Sequence, residues 1–380
     1  MQHEQAMPNR AASLAIATIA IATPAVLATP DTNGYEWATI THPGNRPTND
    51  AEVPAIPGYR TGSVAYEFRM ATTEVTVGQW FEFVQAYSPF YFQQNDTPIA
   101  SPEFAGSSIN AGFDGIYVRP GISVNQATDM SWEYAARYCN WLHNGRVNEA
   151  WAFESGAYDT SSFTINDDGS ANHQQTRSSG AKYWIPSVDE WNKAAYYDPN
   201  RYGHGADGYW LYPDGSDTPL VENLLPEDGG ERNGGRSDVF PLDVGSFSHV
   251  SSPFGLLDAS GGMTEWTETV GKFGSDARFI RGSDFGHLDH SGIVLTLDRL
   301  ESGFSTSVSF TPYVGLRLAS AIECPADLAL PPGILDLADL ISYIDLFKIA
   351  SPVADLAEPF GVLNIFDLAE YLTLFNAGCP

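Results

Sequence analysis

Residues 244–266 read Val244-Gly245-Ser246-Phe247-Ser248-His249-Val250-Ser251-Ser252-Pro253-Phe254-Gly255-Leu256-Leu257-Asp258-Ala259-Ser260-Gly261-Gly262-Met263-Thr264-Glu265-Trp266. Glycine, proline and serine punctuate this stretch too often for a helix, so its carboxylates and aromatic rings sit among turns. The whole chain shares that character: 35 Gly and 25 Pro stand beside 9 Trp, 18 Tyr and 21 Phe in 380 residues. With 43% hydrophobic residues it can bury a sizeable core. The composition points away from a helix bundle and toward an α+β fold with short elements and much irregular backbone. The formal charge is −28, from 47 acidic and 19 basic side chains. A polyanion repels phosphate, and no Lys/Arg cluster offers a local footprint, so nucleic acid is not expected as a partner. The acidity otherwise bears on solubility and cation attraction.

Outward from this stretch, periodicity marks a few helices with clear starts. Thr76-x-x-Gln79 before Trp80, Phe83 and Val84 is a capping box leading into an apolar face. Ser187-x-x-Glu190 does the same before Trp191, Ala194 and Ala195, and Pro199 bars continuation. A third helix is predicted from about Ser131 to His143, with Gly145 as terminator. Cys139 lies on it at helical spacing with Trp132, Ala135, Ala136 and Leu142, as a core thiol would. Phe279-Ile280-Arg281 and Val314-Gly315-Leu316-Arg317-Leu318 predict strands.

The order of these pieces resembles the formylglycine-generating enzyme, or sulfatase-modifying factor, family. Glu74-Val75-Thr76-x-x-Gln79-Trp80-x-x-Phe83 looks like its "EVT" helix start. Met130-Ser131-Trp132-Glu133-x-Ala135-x-x-Tyr138-Cys139-x-Trp141-Leu142 resembles "VSWxxAxxYCxWL". Tyr183-Trp184-Ile185-Pro186-Ser187-x-x-Glu190-Trp191-x-x-Ala194-Ala195 resembles "YRLPTEAEWExAA". Residues 244–266 resemble "VGSF…NxFGLxDMxGNVxEW", and Arg281-Gly282-Ser283 and Gly315-Leu316-Arg317 resemble the closing "RGGS" and "GFR" blocks. Six blocks in the family's order lie within residues 66 to 318.

The resemblance implies a formylglycine-generating-enzyme fold, with a C-type-lectin-like core and little regular secondary structure. It also implies two structural calcium ions. One would be held by Asn223, the carbonyl of Leu224, Asp238 and Phe240. The other would be held by Asp258, the carbonyls of Gly261 and Met263, and Glu265. Hard oxygen donors of these kinds are what calcium requires. Read as bare residues, the same acids could equally be solvated loop groups.

Enzymes of that family oxidise a substrate cysteine to formylglycine with two cysteines placed shortly after "RGGS" and separated by four intervening residues. Two soft thiolates can hold Cu(I) there. Counted from Arg281-Gly282-Ser283, those places hold Gly286 and Ser291. No catalytic residue is therefore assigned, and no copper is expected. His287-Leu288-Asp289-His290 lies between them, with Asp284, Asp298 and Arg299 near in sequence. Two imidazoles and a carboxylate can form a metal-binding triad, although neighbours in one tight loop rarely converge on one ion. Trp210, Tyr209, Trp266 and Phe285, with His287 and His290, could line a groove for sugar or peptide; core packing is the commoner use of such rings.

The two ends are distinct. Residues 1–28 read as a secretory signal: Arg10, an apolar stretch from Ala11 to Ala28, then Val26-Leu27-Ala28 as a cleavage site before Thr29. Ala/Thr-rich content and Pro24 argue against a membrane anchor, so no transmembrane helix is expected in the mature chain. At the other end Cys324 and Cys379 stand in matching Cys-Pro pairs and could form a disulfide in an oxidising compartment. Between them runs a repeat of period 28: Ala326-Asp327-Leu328-Ala329 recurs as Ala354-Asp355-Leu356-Ala357, and Asp339-Leu340, Tyr343 and Leu346-Phe347 recur as Asp367-Leu368, Tyr371 and Leu374-Phe375. Each unit is a loop and a short amphipathic helix. Leu337, Leu340, Ile344 and Phe347 are predicted to share one face, and Ile365, Leu368, Leu372 and Phe375 the other, so the two stripes bury each other. This tail resembles dockerin modules that end in Gly-Cys-Pro. Dockerin loops place side-chain oxygens on calcium, but Ala329, Pro331, Ala357 and Pro359 replace several of them. The reading is a packed helix pair that docks or anchors the protein to an extracellular or envelope partner.

The expected organisation is thus a signal peptide over 1–28, a lead-in segment over 29–64, a sulfatase-modifying-factor-like domain over 65–320 and a dockerin-like module over 324–380. The protein would be secreted or held at the cell surface or in the periplasm. Three readings of the domain stand side by side: a noncatalytic module binding a peptide or glycan, an enzyme with cysteine-independent oxidative or protein-modifying chemistry, and a lectin-like display scaffold.

Overall fold

Eight strands build two sheets: β1 Trp37–Ile40, β2 Phe68–Ala71, β3 Tyr183–Trp184, β4 Thr264–Val270, β5 Ala277–Arg281, β6 Ser305–Ser307, β7 Val314–Gly315 and β8 Ala319–Ser320. These come from a computed structural model, which describes residues 33–94, 103–112, 114–165, 171–223, 225–233, 242–271, 277–284, 298–302, 304–309, 311–322, 324–329 and 335–378. The first sheet has the order β1-β2-β8-β3 and is antiparallel throughout. The second has the order β6-β5-β4-β7, antiparallel except where β7 runs parallel to β4. The lead-in segment therefore belongs to the domain, because β1 pairs with β2 in register from Trp37↔Ala71 to Ile40↔Phe68. Strand β4 is buried over its first five residues, Thr264 to Glu268, which include two glutamates. Buried carboxylates need internal partners, and that demand shapes the site described below.

Four helices follow: α1 Val77–Gln94, α2 Trp132–His143, α3 Ala150–Glu154 and α4 Val188–Tyr196; α2 and α4 pack on these sheets, while α3 packs between α1 and α2. The predicted capping boxes form. The Thr76 amide donates to Gln79 Oε1 at 2.9 Å while the Gln79 amide donates to Thr76 Oγ1 at 3.3 Å. Ser187 and Glu190 reciprocate at 3.2 and 2.7 Å. Helix α2 starts at Ser131 and ends where Gly145 takes φ +67°, letting the Arg146 amide reach the Trp141 carbonyl at 2.8 Å. The apolar faces meet in an aromatic core: Trp80 lies 4.7 Å from Phe83 and 5.3 Å from Tyr138. Burying each such ring contributes roughly 1.5–3 kcal/mol. Cys139 is free and fully buried, as its helical spacing predicted, and burial pushes its thiol well above the ordinary range.

The tail carries α5 Leu337–Lys348 and α6 Ile365–Ala377. Tyr343 and Tyr371, equivalent in the repeat, stack at 3.8 Å. Tyr343 Oη donates to the Ala354 carbonyl at 3.1 Å, and Tyr371 Oη donates to the Ala326 carbonyl at 3.0 Å. Residue i of one unit thus meets j of the other, and the reverse, which is the signature of a local two-fold. Asp339 accepts the amides of Leu328, Ala329 and Asp336, and Asp367 accepts those of Leu356, Ala357 and Asn364, all at 2.7–2.9 Å. Two of the loop acids therefore serve main-chain amides.

The predicted inward stripes need correction. Leu337 and Ile365 are each 67% exposed, and Ile344 and Leu372 also face outward. The core uses Leu340, Tyr343, Leu346 and Phe347 with Leu368, Tyr371, Leu374 and Phe375. Centring the contact on the tyrosine stack rotates each helix and leaves the 337 and 344 positions outside. Cys324 is disulfide-bonded, while Cys379 lies outside the described residues. Among the described residues no helix is long and apolar enough to cross a membrane.

Candidate functional site

The centre of the domain is a buried charge cluster assembled from four distant segments. Arg317, just after β7, is fully buried. It meets Glu265 on β4 in a fork: Nε to Oε1 at 3.0 Å and Nη2 to Oε1 at 2.8 Å, with Nε also 3.1 Å from Oε2. Its remaining hydrogens reach the carbonyls of Ala71, Thr72 and Leu257 at 3.2, 2.7 and 2.8 Å. Trp191 Nε1 closes the other side of Glu265, donating to Oε2 at 2.5 Å. The predicted ligand Glu265 thus has both oxygens engaged by protein groups.

Glu74, which begins the segment leading into α1, lies beside this pair. Its Oε1 accepts the Met263 amide at 3.0 Å, whereas Oε2 is buried without a hydrogen-bond partner among the described residues. Burial holds the Glu74 carboxyl well above the usual range; Asp258 and Glu265 push the same way, and Arg317 opposes them. Asp258 is half-buried, and its Oδ2 accepts the Gly245 amide. Burial also raises its carboxyl, against the Gly245 bond and Arg317. Its backbone sits at φ +52°, a left-handed conformation that a non-glycine residue adopts at a cost. Gly262 has φ +67°, and a Cβ there would collide with the Glu74 carboxylate. A cavity of about 10 Å³, close to the size of one bound particle, has Glu74, Asp243, Asp258, Ser260 and Gly262 among its lining residues.

When ionised, Glu74, Asp258 and Glu265 outnumber the Arg317 guanidinium, and the raised carboxyls of Glu74 and Asp258 reflect that uncompensated burial. An orphaned Glu74 oxygen and the Asp258 side chain at one small cavity suit a divalent cation with oxygen ligands. Among the described residues no three His, Cys, Asp or Glu side chains form a metal-holding group by themselves, so such an ion would need main-chain oxygens as well. In the sequence Glu74 reads only as part of a helix start. Nothing local marks it as a ligand, because its neighbours lie more than 180 residues away.

The other predicted site residues are placed as follows. Asn223 lies on a short strand and donates to the Asp228 carbonyl at 3.1 Å. Leu224, Asp238, Phe240, Phe285, Gly286, His287, His290 and Ser291 lie outside the described residues. Trp266 is fully buried, with Nε1 donating to the Met130 carbonyl at 2.7 Å, so it packs the core instead of lining a groove. One face of Trp210 is covered by the Arg201 guanidinium at 4.4 Å, and its Nε1 donates to Asp198 at 3.1 Å. Tyr209 is also buried.

A second charge network lies along β4. Arg177 joins Glu268 at 2.9 Å and Glu190 at 2.9 Å while stacking 4.1 Å above Trp184. Two buried carboxylates share one cation. Burial pushes Glu268 up to about 7, with Glu190 adding to the rise and Arg177 opposing it. The native carboxyl then keeps a proton that the unfolded chain releases near its ordinary value, so this group's contribution to stability falls as pH rises from about 4.5 to 7. At about 1.4 kcal/mol per unit the loss is on the order of 3 kcal/mol. Urea unfolding at pH 5 and pH 7.5 should show that slope, and Glu268→Gln should flatten it. An unchanged slope in the variant would assign it elsewhere.

A search of curated proteins finds no match to this chain. Among solved structures, the chain is similar to CarF at 18% identity and TM-score 0.43, covering 77% of this chain and 100% of that one. It is similar to PvdO from Pseudomonas aeruginosa at 16% identity and TM-score 0.42, covering 77% and 96%. It is also similar to Treponema denticola variable protein 1 at 16% identity and TM-score 0.44, covering 75% and 95%. The family described as "Sulfatase-modifying factor enzyme 1-like domain" matches residues 32–322, both sheets and the buried charge cluster included. On that match, which covers most of its length, the chain belongs to the sulfatase-modifying factor enzyme 1-like family.

Proposed function

We propose that this protein is an exported, noncatalytic member of its family, a binding module for an extended peptide or glycan held in place by its C-terminal tail. The fate of the cysteines carries this reading. The chain has three. Cys139 is sealed in the aromatic core and Cys324 is disulfide-bonded. Gly286 and Ser291 stand where the family resemblance puts the reactive pair. A glycine offers no ligand and a serine hydroxyl is a hard, weak one, so Cu(I) has no soft pair to bind.

Calcium is the cofactor in this proposal. Glu74 and Asp258 would hold it with main-chain oxygens from the Gly261–Met263 turn, and Arg317 would keep Glu265 in place behind them. Bound there, the ion supplies charge balance and braces a loop that no helix supports. The noncatalytic reading is tested by incubating the protein with copper, oxygen and a cysteine-containing sulfatase-motif peptide. Mass spectrometry should find no formylglycine above the protein-free blank; product above it would overturn the proposal. Peptide and glycan arrays should then show saturable binding, whereas binding to nothing would favour a display scaffold.

A further inference from the structure

The tail exposes far more apolar surface than the domain before it. Of the 21 large hydrophobic side chains exposed among the described residues, ten lie at or beyond Leu337. Scattered exposed hydrophobics are ordinary on a soluble surface, but a concentration of them is not. Here they are ordered. Leu337, Ile341 and Ile344 follow i, i+4, i+7 spacing along the outer face of α5. The local two-fold sets Ile365 and Leu372 at the equivalent places on α6, with Phe366, 64% exposed, beside them. The inner stripes are already consumed by the Tyr343–Tyr371 core, so among the described residues these outer stripes stay exposed.

The charge of the tail is almost all of one sign. Residues 324–380 contain six Asp, two Glu and a single Lys. That Lys348 is paired with Asp345 at 3.0 Å. Asp336 and Glu358 are exposed, and Glu370 is half-exposed. A second copy would bring the same acids against these, and an anionic lipid surface would be repelled for the same reason.

We infer that the outer face of the tail docks a protein partner whose contact surface is an apolar strip flanked by lysine or arginine. The inference rests on the reading of the tail as an anchor. Charge complementarity chooses the partner class, while the Leu337 and Ile365 stripes supply the area removed from water.

The test uses the full chain and three synthetic amphipathic helical peptides with one common apolar face and flanks of lysine, glutamine or glutamate. Fluorescence anisotropy should give at least tenfold tighter binding to the lysine-flanked peptide than to the glutamate-flanked one. Raising NaCl from 50 to 500 mM should weaken it at least fivefold. The triple variant Leu337→Gln, Ile341→Gln, Ile365→Gln keeps good helix formers at exposed positions and should melt like the parent, yet lose at least tenfold in affinity. Glu358→Lys with Glu370→Lys should erase the preference for lysine flanks. Equal affinity for all three peptides, or binding to none, would overturn the inference. So would binding to phosphatidylglycerol vesicles in place of the peptides, or a dimer in sedimentation that the triple variant abolishes. Each of these outcomes leaves the formylglycine and array results for the main domain standing on their own.

Discussion

Arg317→Met is expected to leave little folded protein at physiological temperature. Among the described residues the guanidinium is the one cation of the central cluster, and it ties together Glu265, the Ala71–Thr72 edge of β2 and the Leu257 turn. Removing one partner of a buried ion pair costs about 3–5 kcal/mol, because the other charge stays buried without compensation. Here the cost also includes Glu74 and Asp258, whose ionised forms Arg317 favours. Against a total stability of roughly 5–15 kcal/mol, that is a large share. Arg317→Lys should rescue poorly, since an ammonium cannot present a planar fork to Glu265 while reaching three carbonyls. Arg317→Met combined with Glu265→Leu should recover part of the loss, because no lone carboxylate then remains in the pair. Soluble yield and the urea midpoint are the readouts. A single methionine variant within about 1 kcal/mol of the parent would show that the pair is peripheral to the fold.

The second large effect concerns calcium. With free calcium at about a thousand times its dissociation constant, linkage adds about 4 kcal/mol to the folded state. Thermal melting in calcium and in chelator should differ by several degrees. Glu74→Gln and Asp258→Asn should each shrink the difference, while an exposed change outside the cavity lining such as Val147→Thr should not. Both variants relieve a strained accumulation of carboxylates, so in chelator they should melt at or above the parent. That crossover separates a ligand role from simple packing. No shift in the parent, with folding intact, would sink the calcium proposal.

What the sequence revealed and what it hid divide by distance along the chain. Capping boxes at Thr76/Gln79 and Ser187/Glu190, the Gly145 stop and the burial of Cys139 are decisions made within a few residues, and each was legible. Glu265 and Asp258, close together in one stretch, were indicated by the family resemblance. Their companions Glu74 and Arg317 were not, since only the pairing of β7 beside β4 and of β8 beside β2 brings residue 317 next to 71, 257 and 265. The tail shows a subtler failure. Its repeat and helices were plain, but Leu337 and Ile344 fit an apolar face as well as Tyr343 does. Which of them points inward was decided by the tyrosine stack, a contact between units that periodicity within one unit cannot report.

One feature of the first sheet governs when the domain can form. Strand β8, residues 319–320, lies between β2 and β3 and is hydrogen-bonded to both. During synthesis the chain emerges from its N-terminus, so β1, β2 and β3 wait with a missing middle until the end of the domain appears. Arg317 arrives at the same late moment, and until then Glu265 has no counter-charge. The central pairing spans about 250 residues, a separation that slows folding. A polypeptide that stays open until its last strand is delivered remains threadable, which suits the proposed passage across a membrane before folding.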